Sequence, residues 1–330
     1  MPAPTRRLAA ALVVAALSAL AAPATVLADA ASYPNKPIRM VVPYPLGGTV
    51  EVIARTLGEE LTRAWGQPVL VESRPGASGN IGVQAVAGAA PDGYTLVIGT
   101  QSTHGTNTVL IRDTKHDPYR DFEPITMVAA APLILVVNPK TPVTNVRELI
   151  DWVRTQKQGV TFASPSTGGG GHLAGERFKK ITGLDMVHVP YKGSGPARID
   201  LIAGHVAMMF DNIGSSLPAA QAGQLRALAV TGAKRTGVAP ELPTMIESGI
   251  PGFALDTWYA IYGPAGIPKD IVRKLNAELV RVLQLPAVQA KFKGLGMDVL
   301  TGTPEELTAR MKADMQVYSE IIRDAGLKAE

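Results

Sequence analysis

Residues 37–65, PIRMVVPYPLGGTVEVIARTLGEELTRAW, pass from an apolar run through a turn of prolines and glycines directly into a helical pattern. Pro37 to Tyr44 reads as a strand, and Thr49 to Trp65 as a helix with Ile53, Leu57 and Leu61 on one face. The plan repeats outward. Pro68 to Glu72 is a second strand, Gly82 to Ala89 a helix, and Tyr94 to Gly99 a third strand after the Pro91-Asp92-Gly93 turn. Strands joined by helical crossovers run the same way, so this βαβαβ segment is expected to form a parallel sheet.

Beyond Gly99 the alternation pauses. Gln101 to Asp121 is polar with little periodicity, and Met127 to Val137 is apolar, broken only by the constraint at Pro132. Eleven such residues suit a strand passing from one lobe to another and are too few to span a bilayer. A second α/β series follows: helices at Val146 to Gln156, Leu173 to Ile181 and Ala197 to Ala203, with strands at Val160 to Ala163, Met186 to Pro190, Ala207 to Phe210 and Leu225 to Thr231. After a segment rich in proline and glycine, Gly232 to Phe253, the strand Leu255 to Tyr262 is placed to cross back. Helices Lys269 to Leu283 and Pro304 to Asp324 close the chain; Leu307, Met311, Met315, Tyr318 and Ile322 form a core-facing stripe on the latter. The expected architecture is α/β with two lobes on a double-stranded hinge. Residues 31–131 and 256–330 form the first lobe and 132–255 the second.

The 330 residues, 46% hydrophobic, suffice for about two domains with cores of their own. With no cysteine, disulfides, thiolate metal sites, cysteine nucleophiles and an acylated N-terminal cysteine are excluded. Residues 1–30 read as a signal peptide: Arg6 and Arg7 precede the apolar run Leu8 to Ala22, and Ala28-Asp29-Ala30 offers a cleavage site. The expected product is exported and cleaved near Ala30, by the general or the twin-arginine route. Cleavage leaves a net charge of +3. Because basic and acidic residues alternate along the helices, as Lys312, Asp314, Glu320 and Arg323 do, nucleic acid is rejected and a small anionic solute fits better.

Two turns share a design: Pro43-Tyr44-Pro45-Leu46-Gly47-Gly48-Thr49, and Ser164-Pro165-Ser166-Thr167-Gly168-Gly169-Gly170-Gly171-His172. Each leads a strand into a helix at the carboxyl end of a parallel sheet, where ligands bind. Glycines admit a ligand to the main chain, and the helix start offers unpaired N–H groups under a positive macrodipole, so each turn is a candidate anion cradle. Either could instead be a plain tight turn, but four glycines in a row exceed what a turn requires. Gly169-x-Gly171-x-x-Ala174 also fits the permissive dinucleotide pattern, yet no acidic residue ends the next strand and no phosphate-loop lysine follows either turn. His104, His116, His172, His188 and His205 show no metal-ligand spacing, and no Gly-x-Ser-x-Gly elbow is present. No cofactor or metal is expected.

Several segments together resemble the Bug family, the substrate-binding receptors of tripartite tricarboxylate transporters. They are Tyr33-Pro34-x-x-Pro37-Ile38-Arg39-x-Val41-Val42-Pro43, Gly47-Gly48, Glu72-x-Arg74-Pro75-Gly76-Ala77-x-Gly79-Asn80, and Ala90-Pro91-Asp92-Gly93-Tyr94-Thr95-Leu96. The likeness continues through Ala163-Ser164, His172-Leu173-Ala174-Gly175-Glu176, His188-Val189-Pro190-Tyr191-Lys192-Gly193, Phe210-Asp211 and Pro251-Gly252-Phe253. It implies a periplasmic Venus-flytrap receptor of the type II binding-protein fold, a monomer that passes a carboxylate to a two-subunit membrane permease and performs no chemistry. Carried over residue by residue, it points to Tyr44, Leu46, Gly47, Gly48 and Glu51 from one lobe, with Ser102 and Thr103 at a strand end. From the other lobe it points to Ser164, Thr167, Gly168, Gly169, His172 and Asp211. Leu46 and Glu51 stand where the family usually has Pro and Asp, and Gly169 where it often has Ser. The alternatives are an exported hydrolase of the same fold using Ser164 and His172, and a ligand sensor for a signalling partner.

Overall fold

Strand β1 (Ile38–Val42) leads through the first glycine turn into α1 (Thr49–Trp65), then β2 (Val69–Ser73), α2 (Asn80–Ala87), β3 (Thr95–Thr100) and the short helix α3 (Asn107–Leu110). The long strand β4 (Phe122–Val137) comes next. The series α4 (Val146–Thr155), β5 (Val160–Ser164), α5 (Gly170–Thr182), β6 (Met186–Pro190), α6 (Ser194–Ala203), β7 (Met208–Asn212), α7 (Ile213–Gln221) and β8 (Arg226–Val230) follows. The chain ends with β9 (Asp256–Pro264), α8 (Lys269–Leu283), α9 (Pro286–Gly294), β10 (Asp298–Val299) and α10 (Pro304–Asp324). This computed structural model describes residues 31–111, 114–157 and 159–327; the expected signal peptide lies outside the described residues.

In the first lobe the strands lie in the order β2-β1-β3-β9-β4, with β10 paired to β4; in the second, β6-β5-β7-β4, with β8 also on β4. The crossover-connected pairs β1–β2, β1–β3, β5–β6 and β5–β7 are parallel, as their connections demand. The sheet is nevertheless mixed. β4 passes from the first sheet into the second, and it and β9 run against their neighbours, so β3–β9, β4–β9 and β4–β7 are antiparallel. β4 is sixteen residues long, longer than the sequence pattern indicates, because Phe122–Thr126 already pairs with β9 while Leu133–Val137 pairs with β7. Pro132, opposite Asp256, marks the passage between the lobes. The second passage is fixed by Thr231, whose carbonyl accepts the Leu255 N–H and whose hydroxyl donates to the Leu255 carbonyl.

Each lobe has its own core. Ile38, Met40, Ile53, Leu57 and Leu61 pack with Leu275 and Leu279 of α8, while Phe162, Phe178, Phe210 and Phe253 fill the second lobe. Helix α10 belongs to both: Leu307 and Met311 sit among first-lobe residues, whereas Tyr318, Ile321 and Ile322 pack in the second-lobe core. Its start is secured by a capping box between Thr303 and Glu306 with Pro304 in the first turn. Along its middle, Arg310 grips Asp314 at 2.9 and 3.0 Å and reaches Asp256 at 3.4 Å, and Asp314 accepts the Trp258 Nε1–H at 2.8 Å. Tyr318 donates to the Asp256 carbonyl. The helix is thus stitched to β9 where β9 leaves the hinge.

Helices α7 and α9 have no counterpart in the sequence pattern, since Pro218 interrupts the period of the first and the second buries only Val288 and Phe292. No helix among the described residues is long and apolar enough to cross a membrane.

Candidate ligand-binding site

Both glycine turns follow one construction. In the first, Gly47 adopts φ +92°, Gly48 caps α1, and the Gly47 N–H donates to Glu51 Oε2 at 2.5 Å. In the second, Gly168 adopts φ +71°, Gly169 caps α5, and the Gly168 N–H donates to His172 Nδ1 at 2.9 Å. A left-handed glycine before the cap turns its amide back onto the side chain four residues ahead, which closes each turn on itself. Glu51 is also held by Arg55 at 2.6 Å, and its carboxyl lies below the usual range because the Gly47 amide and then Arg55 stabilise the charged form. The first turn of α5 still presents main-chain N–H groups that no helix carbonyl can reach.

A cavity of about 720 Å³ lies between the lobes. The second lobe contributes Ser166, Thr167, Gly168 and Gly169; the first contributes Tyr44, Ala77, Ser78, Ser102, Thr106 and Asn107. Leu110, Ile111, Gly326 and Leu327 complete it. No charged side chain is among these described lining residues. Tyr44 is steadied by Thr100 at 3.0 Å, and Thr100 by Thr103, which is fully buried. Ala77 and Ser78 both have positive φ, 45° and 55°, a conformation that costs a residue with a side chain about 1–2 kcal/mol. Asn107 holds that turn by donating to the Ser78 carbonyl at 2.9 Å and to Asn80 Oδ1 at 3.0 Å.

Of the residues singled out from the sequence, Tyr44, Ser102, Thr167, Gly168 and Gly169 meet at this cavity. Leu46, Gly47, Gly48 and Glu51 do not line it; Leu46 is 56% exposed. Thr103, Ser164, His172 and Asp211 are buried behind the walls. Asp211 accepts from Ser194 at 2.5 Å and Ser216 at 2.6 Å, bracing the starts of α6 and α7, and burial raises its carboxyl against those two bonds. Sequence reasoning missed Ala77, Ser78, Thr106, Asn107, Leu110, Ile111, Gly326 and Leu327, while Ser166 belongs to the turn it had marked. Gly76 and Gly79 flank the first two and were the available signal, since glycine pairs mark turns with positive φ.

Residues 53–327 match the family described as tripartite tricarboxylate transporter family receptor. This chain belongs to that family. BugT of Bordetella pertussis is 37% identical over 325 residues, 98% of either chain. A Rhodopseudomonas palustris protein solved with adipate is 35% identical, TM-score 0.76, covering 90% of this chain and all of that one. MatC of the same organism, solved with bound malate, is 29% identical, TM-score 0.71, covering 88% and 100%.

The receptor is a binding protein, not an enzyme, and the burial of Ser164 accords with that. Ser164 Oγ donates to the Ser166 carbonyl at 2.9 Å and meets His188 Nε2, not His172, at 2.7 Å. With the serine proton so placed, His188 carries its proton on Nε2 and donates it, a tautomer assigned from the hydrogen bonds. His172 and His188, remote in sequence, stack with ring centroids 3.6 Å apart. Together they support the second turn from beneath, one at Gly168 and one at Ser164. Among the described residues no group of three or more His, Cys, Asp or Glu is arranged to hold a metal.

The stacked pair predicts an acid-sensitive receptor. Burial pushes both imidazoles down to about 4, from 6.5, with Lys179 adding to the effect at His172 and His172 adding to it at His188. Between those limits the unfolded chain binds more protons than the folded one, so stability is lost as pH falls from 6.5 towards 4. Urea midpoints at pH 7 and about 4.5 should diverge more in the native receptor than in His188→Gln. Equal divergence would remove the pair from the cause.

Proposed function

We propose that the receptor works in the periplasm, capturing a small organic carboxylate between its lobes and presenting it to a two-subunit membrane permease. The observation that carries this reading is the second glycine turn: Ser166 to Gly169, leading into α5, form one wall of the inter-lobe cavity, facing hydroxyls and an aromatic ring from the first lobe. Neutral donors suit a carboxylate, because amides and hydroxyls replace its water without a buried counter-charge that would itself need desolvation. The adipate and malate found in two structural relatives support the same class. In this reading the open cleft admits the acid, and closure adds contacts from the opposite lobe.

Thermal-shift measurements with adipate, malate, succinate and benzoate test it. A ligand at about one hundred times its dissociation constant stabilises the folded form by about 2.7 kcal/mol, a rise of roughly 5 °C for a chain of this size. A midpoint unmoved by every acid in a broad panel would sink the proposal. Delivery is tested separately, by uptake of the bound acid into vesicles carrying the permease with and without the receptor.

A further inference from the structure

The cavity lining falls into two chemical groups. Ser78, Ser102, Thr106, Ser166 and Thr167 are polar, whereas Leu110, Ile111 and Leu327 line the cavity with hydrocarbon. That patch touches the cradle: Leu110 Cδ1 lies so close to Gly168 that a β-carbon on the glycine would stand 2.9 Å from it. Leu110 and Leu327 also pack against the second-lobe core, which fixes the patch beside Thr167–Gly169.

We infer that Leu110, extended by Ile111 and Leu327, selects carboxylates whose carbon next to the acid is unsubstituted and excludes 2-hydroxy and 2-amino acids. This rests on the carboxylate reading of the cradle. With the acid group at Thr167, beside Gly168, the adjacent carbon meets the Leu110 side chain, and a hydroxyl or ammonium there loses its water without gaining a partner. The nearby carboxylates are spoken for: Glu51 by Gly47 and Arg55, and Asp211, buried, by Ser194 and Ser216. Each methylene laid along the patch adds about fourfold in affinity.

Isothermal titration of the full chain with hexanoate, 2-hydroxyhexanoate and norleucine tests this, each also against Leu110→Thr. In the native receptor hexanoate should bind at least about tenfold tighter than either substituted acid. Leu110→Thr brings a hydroxyl to the patch and should shrink the ratio of hexanoate to 2-hydroxyhexanoate to about threefold. A leucine that only holds the lobes together would weaken all three ligands alike and leave that ratio unchanged. If Leu110→Thr does not fold, Ile111→Thr supplies the same comparison. Equal affinities in the native receptor, or an unaltered ratio in the folded variant, overturn the inference. Binding of malate without binding of hexanoate overturns it and leaves the carboxylate reading standing; failure of every carboxylate removes both.

Discussion

Replacing Arg310 by Met is expected to lower stability by about 3 kcal/mol at neutral pH, the low end for breaking a buried ion pair, because about a third of the arginine side chain is exposed. The guanidinium is the cation that Asp314 and Asp256 share, at 2.9 and 3.4 Å. Without it two buried carboxylates remain, one of them with Oδ1 lacking any hydrogen-bond partner. Burial already raises both carboxyls above their ordinary value. For such groups the stability present below the unfolded pKa is lost as pH rises through the folded one, and removing Arg310 raises the folded values further. The deficit of Arg310→Met should therefore be greater at pH 7 than at about pH 4.5, opposite in sign to the histidine effect. Urea denaturation at both values decides; a deficit independent of pH would show that the lost hydrocarbon stem, not the charge, matters.

Gly171→Ala should cost about 3 kcal/mol and weaken carboxylate binding in the same variant. A β-carbon on Gly171 would stand 2.3 Å from the Phe210 carbonyl oxygen, which is backbone and cannot swing aside. Helix α5 would have to withdraw from β7, and its first turn is the entry to the cradle. Gly183→Ala makes the control, for a β-carbon there meets nothing within 4 Å; its φ of +66° costs only about 1 kcal/mol, far from the cavity. Calorimetry and adipate titration on both variants check this. Unchanged melting in Gly171→Ala would mean that α5 is not pressed against β7 as described.

Much of this frame was legible from residues alone. Helices α1 and α10 have the bounds the sequence indicates, because strong signals end them: Gly48 and Gly66 for the first, and Thr303-Pro304 with Glu306 at the start of the second. The two glycine turns were legible for the same reason. What escaped was whatever depends on partners distant in the chain. Residues 101–111 have no amphipathic period, since Thr103, His104, Gly105 and Thr106 are all buried, so nothing announces α3 or the placement of Leu110. Leu327 is a single apolar residue past the end of a helix, a position without a pattern. The stacking of His172 on His188 required β6 to lie beside β5, a register that composition does not encode.

Helix α10 is anchored in both cores, so parting the jaws would disturb its contacts with one of them. Were the halves to separate, one set of its anchors, Leu307 and Met311 or Tyr318, Ile321 and Ile322, would have to slip. The helix is a tether between the halves, and Leu327, three residues past its end at Asp324, carries its tip to the inter-lobe cavity. A guest pressing on that tip would tug the tether.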